Sequence, residues 1–182
     1  MTLSPSLYQT CSMTSSSSKS FRVGCLGALS DQHKASLLLD TVEALCGVGH
    51  EVVMVSDGDS EYQKRCFALS EKFPHNFRFL ENLPQNRETL LSISDVALFP
   101  VSPSQQDIEE VVSQGVVPVL PPTSGFENFN PELESGNAFV FEKSDIWHLF
   151  HAVVRASENH KFSYDWQHLR KEVKKLGKAE EE

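Results

Sequence analysis

The sequence has no apolar run near the roughly 20 residues a bilayer-spanning helix needs. It has no C-x-x-C pair and no H-E-x-x-H or H-x-x-x-H spacing, so nothing in it reads as a zinc site. Basic residues are in deficit, with 16 Lys and Arg against 25 Asp and Glu and a formal charge of −9. That balance argues against a nucleic-acid or anionic-membrane surface, and it requires any anion site to be built locally. Acidic residues are in turn missing from residues 1–20, MTLSPSLYQTCSMTSSSSKS, where Lys19 is the one basic residue. Two readings of this Ser-rich segment stand: a disordered leader, or an organelle transit peptide.

The four cysteines, Cys11, Cys25, Cys46 and Cys66, are scattered along the chain. Cys25 falls in an expected strand, and Cys46 and Cys66 fall in expected helices. They read as buried free thiols in a reducing compartment. His148 and His151 share a helix, and with no further ligands nearby they read as packing or surface residues.

What remains is ordinary globular material: 182 residues, 40% hydrophobic, enough for one domain with its own core. From Phe21 apolar runs alternate with helical patterns. FRVGCLG, EVVMVS, FRFL, DVALFP, VVPVLP and AFVFE read as strands rich in Val, Leu and Phe. Between them lie helical stretches, one over residues 31–50 closed by Gly47 and Gly49, and one capped by Ser60 and closed by Pro74. A further amphipathic helix starts at Ser144 or Asp145 and presents Ile146, Leu149 and Val153 on one face. The alternation predicts an α/β fold: a single Rossmann-like domain over residues 21–176, with a parallel sheet and helices on both faces. Residues 177–182 form an acidic tail. Such sheets bind ligands beyond the C-terminal ends of their strands, which directs attention to loops 27–34, 56–60, 100–106 and 121–126.

The ordered segments SDGDSEYQ, QGVVPVLPPTSGF and NPELESGNAFVFE resemble the C-terminal, donor-binding domain of the starch and glycogen synthases, which are GT-B glycosyltransferases. The resemblance covers residues 21 to about 170. It implies the GT-B C-terminal-domain fold, no metal or other cofactor, and ADP-glucose or UDP-glucose as the ligand. It also implies donor-binding roles for Gly27, Lys34, Gly58, Asp59, Glu110, Thr123, Ser124 and Gly125, with Lys34 and Glu110 as candidates for catalysis.

Departures from the family pattern are concentrated in its charged groups. The family carries Gly-Arg-Leu and then Gln-Lys-Gly after the first strand; here Gly27-Ala28-Leu29 and Gln32-His33-Lys34 stand instead. Ala28 offers neither the charge nor the fork of a guanidinium, and Lys34 serves only if the motif slips by one residue. The family's first carboxylate of Glu-x7-Glu is Ser102, its second is Glu110, and the glycine that opens the following helix is Gln105. Ser56 replaces a further glycine.

These substitutions lead to the expectation of a catalytically impaired donor-type domain, acting as a nucleotide-sugar-binding or regulatory module in α-glucan metabolism. One alternative is the active subunit of a split enzyme that transfers glucose to an α-1,4-glucan. Another is a relic that binds no ligand. The expected partners are a GT-B N-terminal half or a glucan synthase, with neither nucleic acid nor membrane. The expected location is the cytoplasm, or the plastid stroma under the transit-peptide reading. Single-residue roles have plainer counterparts: Glu110 as a solvated helix acid, Gly58 and Gly125 as turn formers, and Trp147 and Trp166 as packing residues rather than sugar platforms.

Overall fold

The computed structural model describes residues 20–178, so the leader up to Lys19 and residues 179–182 of the tail lie outside the described residues. Six strands form one parallel sheet: β1 (Arg22–Leu29), β2 (Glu51–Gly58), β3 (Phe77–Glu81), β4 (Val96–Leu98), β5 (Val117–Leu120) and β6 (Phe139–Val140). Their order across the sheet is β3-β2-β1-β4-β5-β6. The chain therefore winds outward from β1 in one direction, crosses back, and continues outward from β4 in the other. Parallel neighbours need crossover connections, and these are α1 (Ala35–Gly47), α2 (Ser60–Lys72), α3 (Pro84–Ile93) and α4 (Gln105–Ser113). Two further helices, α5 (Ile146–His160) and α6 (Ser163–Lys178), complete the domain.

The central strands are apolar on both faces because helices cover both. Val23, Cys25, Val52, Met54, Val96, Leu98, Val117 and Val119 are all buried. Helix α1 adds Leu38, Leu39, Val42 and Leu45, and α5 adds Leu149, Ala152, Val153 and Ala156. Trp166 of α6 lies flat against Phe139 and is buried, in keeping with a packing role. Trp147 is 79% exposed and so does not pack as expected. Ile146 is also left outside the core, because the α5 stripe that faces inward starts at Leu149.

Several boundaries differ from the sequence reading for local reasons. Strand β1 continues past Gly27 to Leu29, since β2 remains paired alongside it as far as Gly58. A short 3-10 turn, Asp31–His33, precedes α1 and shortens that helix at its start. Gly47 is the last residue of α1 rather than a stop beyond it, and the left-handed position is Gly49. Asp59, not Ser60, is the N-cap residue of α2. Asp145 caps α5, its Oδ1 accepting from the His148 N–H at 3.0 Å.

The long connection after β5 is ordered by asparagines. Asn130 Oδ1 accepts from the Glu132 N–H at 3.0 Å, and Asn137 accepts from the Glu127 N–H while donating to the Gly125 carbonyl. Asn128 Oδ1 accepts from the Val140 N–H at 3.0 Å and so ties the loop to the edge strand β6. These bonds satisfy backbone groups that a twenty-residue loop would otherwise leave to water.

Candidate functional site

The order of the sheet reverses between β1 and β4, and a crevice opens beyond the C-terminal ends of those two strands. A pocket of about 100 Å³ lies there. Its floor is Cys25, Leu26, Met54 and Phe99, and its polar rim is His33, Ser56, Ser102, Ser104 and Asp107. Gly27 and Ala28 form the β1 side.

Each rim group is held by its neighbours. The Ser56 hydroxyl donates to the Gly27 carbonyl, so the side chain that replaces the family's glycine is turned onto the β1 backbone. His33 Nδ1 lies 2.7 Å from Ser30 Oγ. At the start of α4, Ser104 is the N-cap: its Oγ accepts from the Asp107 N–H at 3.2 Å and donates to Asp107 Oδ2 at 2.7 Å. Ser102 Oγ is 3.5 Å from Thr123 Oγ1, which joins the β4 and β5 loops across the crevice.

The residues singled out in the sequence are distributed around this end of the sheet. Gly27 lines the switch-point pocket, with φ at +122°. Ser124 and Gly125 line a separate groove with Ile108 and Glu109 of α4 and Leu176 of α6. Thr123 lies between the two, its hydroxyl donating to the Pro121 carbonyl at 2.8 Å. Gly58 sits against β1: a Cβ there would be 2.3 Å from the Leu29 carbonyl oxygen, and φ is +140°. That position needs glycine for the close approach of two strands. The Asp59 N–H donates to the same Leu29 carbonyl at 2.9 Å.

Lys34 is exposed and has φ 51° and ψ 43°, the left-handed conformation. Glycine takes that conformation without penalty, and glycine is what the family motif has after its lysine. Of the two neighbours, His33 lines the pocket and Lys34 does not.

Glu110 lines a groove between α3 and α4 and does not line the switch-point pocket. Its Oε2 accepts from Arg87 Nε at 2.9 Å and Nη2 at 2.7 Å, and its Oε1 accepts from Gln106 Nε2 at 3.1 Å. Arg87 Nη2 also donates to Asp107 Oδ1 at 2.7 Å. Burial works against the Arg87 charge, but its bonds to Asp107 and Glu110 outweigh this and raise its pKa. Arg87 was not among the residues singled out in the sequence. The signal available for it was an arginine early in the third helix, opposite a helix carrying three acids.

Among the described residues the switch-point pocket is lined by one carboxylate, Asp107, and by neither Lys nor Arg. Burial raises the Cys25 thiol well above its ordinary range at the pocket floor, which favours the neutral thiol over the thiolate. Among the described residues no group of three or more His, Cys, Asp or Glu side chains could hold a metal ion. No helix of the described residues is long and apolar enough to cross a membrane. The geometry offers hydroxyls, one imidazole and the N-terminus of α4 to a ligand, without a fixed positive charge.

No sequence-family model matches the chain. Among curated proteins it is 23% identical over 156 residues to glycogen synthase 1 of Synechocystis sp., covering 81% of this chain and 32% of the relative. It is 26% identical over 156 residues to the glycogen synthase of Fervidobacterium nodosum, covering 80% of this chain and 32% of that protein. The chain thus spans about a third of the length of the curated relatives it matches. Among solved structures it superposes on the catalytic domain of starch synthase IV from Arabidopsis thaliana, bound to ADP and acarbose, with a TM-score of 0.74. That match has 18% identity and covers 89% of this chain and 36% of the other. The catalytic domain of cholesterol-α-glucosyltransferase from Helicobacter pylori gives 0.61 at 17% identity, over 86% of this chain and 97% of the other. The strand order, the crevice and these similarities agree: the chain is homologous to the C-terminal region of the glycogen synthases and folds as the C-terminal domain of a GT-B glycosyltransferase.

Proposed function

We propose that this chain is a donor-type glycosyltransferase domain that has lost the charge needed for catalysis and serves as a regulatory or binding module in α-glucan metabolism. One observation carries the reading: the pocket at the switch point is lined by Ala28, His33, Ser102 and Asp107, with no lysine or arginine. Departure of a nucleoside diphosphate develops negative charge, and a preorganised cation at that point is commonly the largest electrostatic contribution to such catalysis. The one carboxylate there, Asp107, is itself paired with Arg87. Glu110, committed to Arg87 and Gln106, is not available to a ribose without breaking those bonds. Any remaining affinity for ADP-glucose or UDP-glucose comes from the Thr123–Gly125 backbone and hydroxyls and from the start of α4. The test is a transfer assay with the purified chain, either donor and a maltooligosaccharide acceptor. The proposal expects no glucosyl transfer above the protein-free blank; turnover by the chain alone overturns it.

The length of the match favours a second reading. The chain aligns with about a third of each glycogen synthase, so an N-terminal GT-B half, supplied separately, would bring an acceptor and its own catalytic groups to the crevice. Holding both reactants in one cleft supplies much of a transferase's rate. Under this reading a mixture with such a half shows transfer that neither component shows alone.

A further inference from the structure

A second concavity, of about 420 Å³, lies at the edge of the sheet between β6, α5 and the asparagine-ordered loop. It is lined by Asn128, Val140, Glu142, His148, His151 and Arg155, and shares no lining residue with the switch-point pocket. His148, His151 and Arg155 follow one another at helical spacing, so one face of α5 carries all three.

Three of the six arginines pair with carboxylates among the described residues, and Arg155 is not one of them. Arg22, Arg65 and Arg87 each hold a carboxylate at 2.8 Å or less. Arg155 is half-buried, lies over the Phe139 ring at 5.6 Å, and has no carboxylate partner among the described residues. Among the described residues its guanidinium makes one hydrogen bond, from Nη2 to Asn128 Oδ1 at 3.1 Å, which uses one of five donors. Burial pulls its pKa below the ordinary arginine value, though a guanidinium still keeps its charge at neutral pH. A partly desolvated guanidinium normally recovers its lost hydration from a paired anion.

We propose that this groove is a binding site for a phosphate-class oxyanion, inorganic phosphate or a phosphate monoester, held by the Arg155 fork with His151 and the Asn128 amide beside it. The planar fork matches two oxygens of a tetrahedral anion, and the Phe139 ring beneath it fixes the plane. His151 is exposed and has no hydrogen-bond partner among the described residues, so its ring turns to the ligand without breaking another contact. His148 contributes less, because its Nδ1 lies 2.8 Å from both oxygens of Asp145. Glu142 is the carboxylate on the rim and opposes the anion.

The proposal does not depend on the switch-point pocket being silent. Its test is titration of the full chain with inorganic phosphate at constant ionic strength, followed by NMR of the Arg155 Nε–Hε resonance. A saturable shift is expected, with chloride giving none. Arg155→Gln should weaken phosphate binding at least tenfold, His151→Gln a few-fold, and Glu142→Gln should tighten it. Glucose 1-phosphate in place of phosphate tells the monoester from the free ion by which saturates at lower concentration. His151 and Glu142 are exposed, so their variants report on binding even if Arg155→Gln fails to fold. A linear response, a response reproduced by chloride, or one indifferent to His151 and Glu142 together overturns the proposal.

Discussion

Arg87 and Glu110 form a two-point contact across α3 and α4, with Nε and Nη2 at 2.9 and 2.7 Å from the same carboxylate oxygen. The contact decides what Glu110 can do. It holds two helices together beside a half-buried guanidinium. Asp107, on the rim of the crevice, is held by the same arginine. Arg87 thus ties the start of α4, and with it one wall of the crevice, to α3.

Removing the arginine tests that tie. Arg87→Ala should lower stability by about 1–3 kcal/mol, because two partly buried carboxylates lose their common partner. Glu110→Ala should cost less, since Asp107 remains paired with Arg87. A double-mutant cycle by urea unfolding should give a coupling of about 1 kcal/mol between Arg87 and Glu110. Additive single effects would show that Glu110 is not held as described.

Gly58 gives a sharper structural test. A Cβ at this position meets the Leu29 carbonyl at 2.3 Å, with φ at +140°. Gly58→Ala should therefore destabilise by about 2 kcal/mol or more, through both backbone strain and displacement of β1. Gly125→Ala meets no atom within 4 Å and carries only the strain of its φ of +83°, so it should cost less. Thermal unfolding of the two variants in parallel checks the order.

How much of this was legible in the sequence follows from which interactions are local. The β and α alternation, the single parallel sheet and the loops at its C-terminal end come from hydrophobic period and turn residues, both written in short windows. Ser60 and Asp59 are both capping residue types one step of register apart, so the cap position at Asp59 is not legible from residue type alone. The extent of β1 past Gly27 was hidden, since pairing with β2 rather than local preference carries the strand to Leu29. Around the site, the loss of charge at Ala28 and Ser102 could be read by comparison with the family motif. The orientation of Glu110 could not, because it is fixed by Arg87, 23 residues away. Nor does local sequence show that Lys34 takes a left-handed backbone while His33 lines the pocket.

The buried thiols predict a dependence on alkaline pH. Burial raises Cys46 to about 12 and Cys66 to about 11, and Cys25 higher still. In the unfolded chain these thiols ionise near the model-peptide value of about 8.5. Their folded pKa values are raised, so the contribution to stability is complete below the unfolded pKa. It is lost as pH climbs from there through the folded values. Unfolding free energy should fall steadily between about pH 9 and 11. In a Cys11→Ser variant a thiol reagent at pH 8 should label none of the remaining three cysteines until denaturant is added. Rapid labelling of the native protein would contradict their burial.

The most direct measurement is calorimetric titration of the chain with ADP-glucose and with UDP-glucose, beside an Ala28→Arg/His33→Lys variant that restores the two missing cations. The unaltered chain should show no saturable heat in the micromolar range, and the variant should bind at least one donor tenfold more tightly. A low-micromolar isotherm from the unaltered chain, unchanged by introducing the charges, would contradict the proposal of a silent donor-type domain.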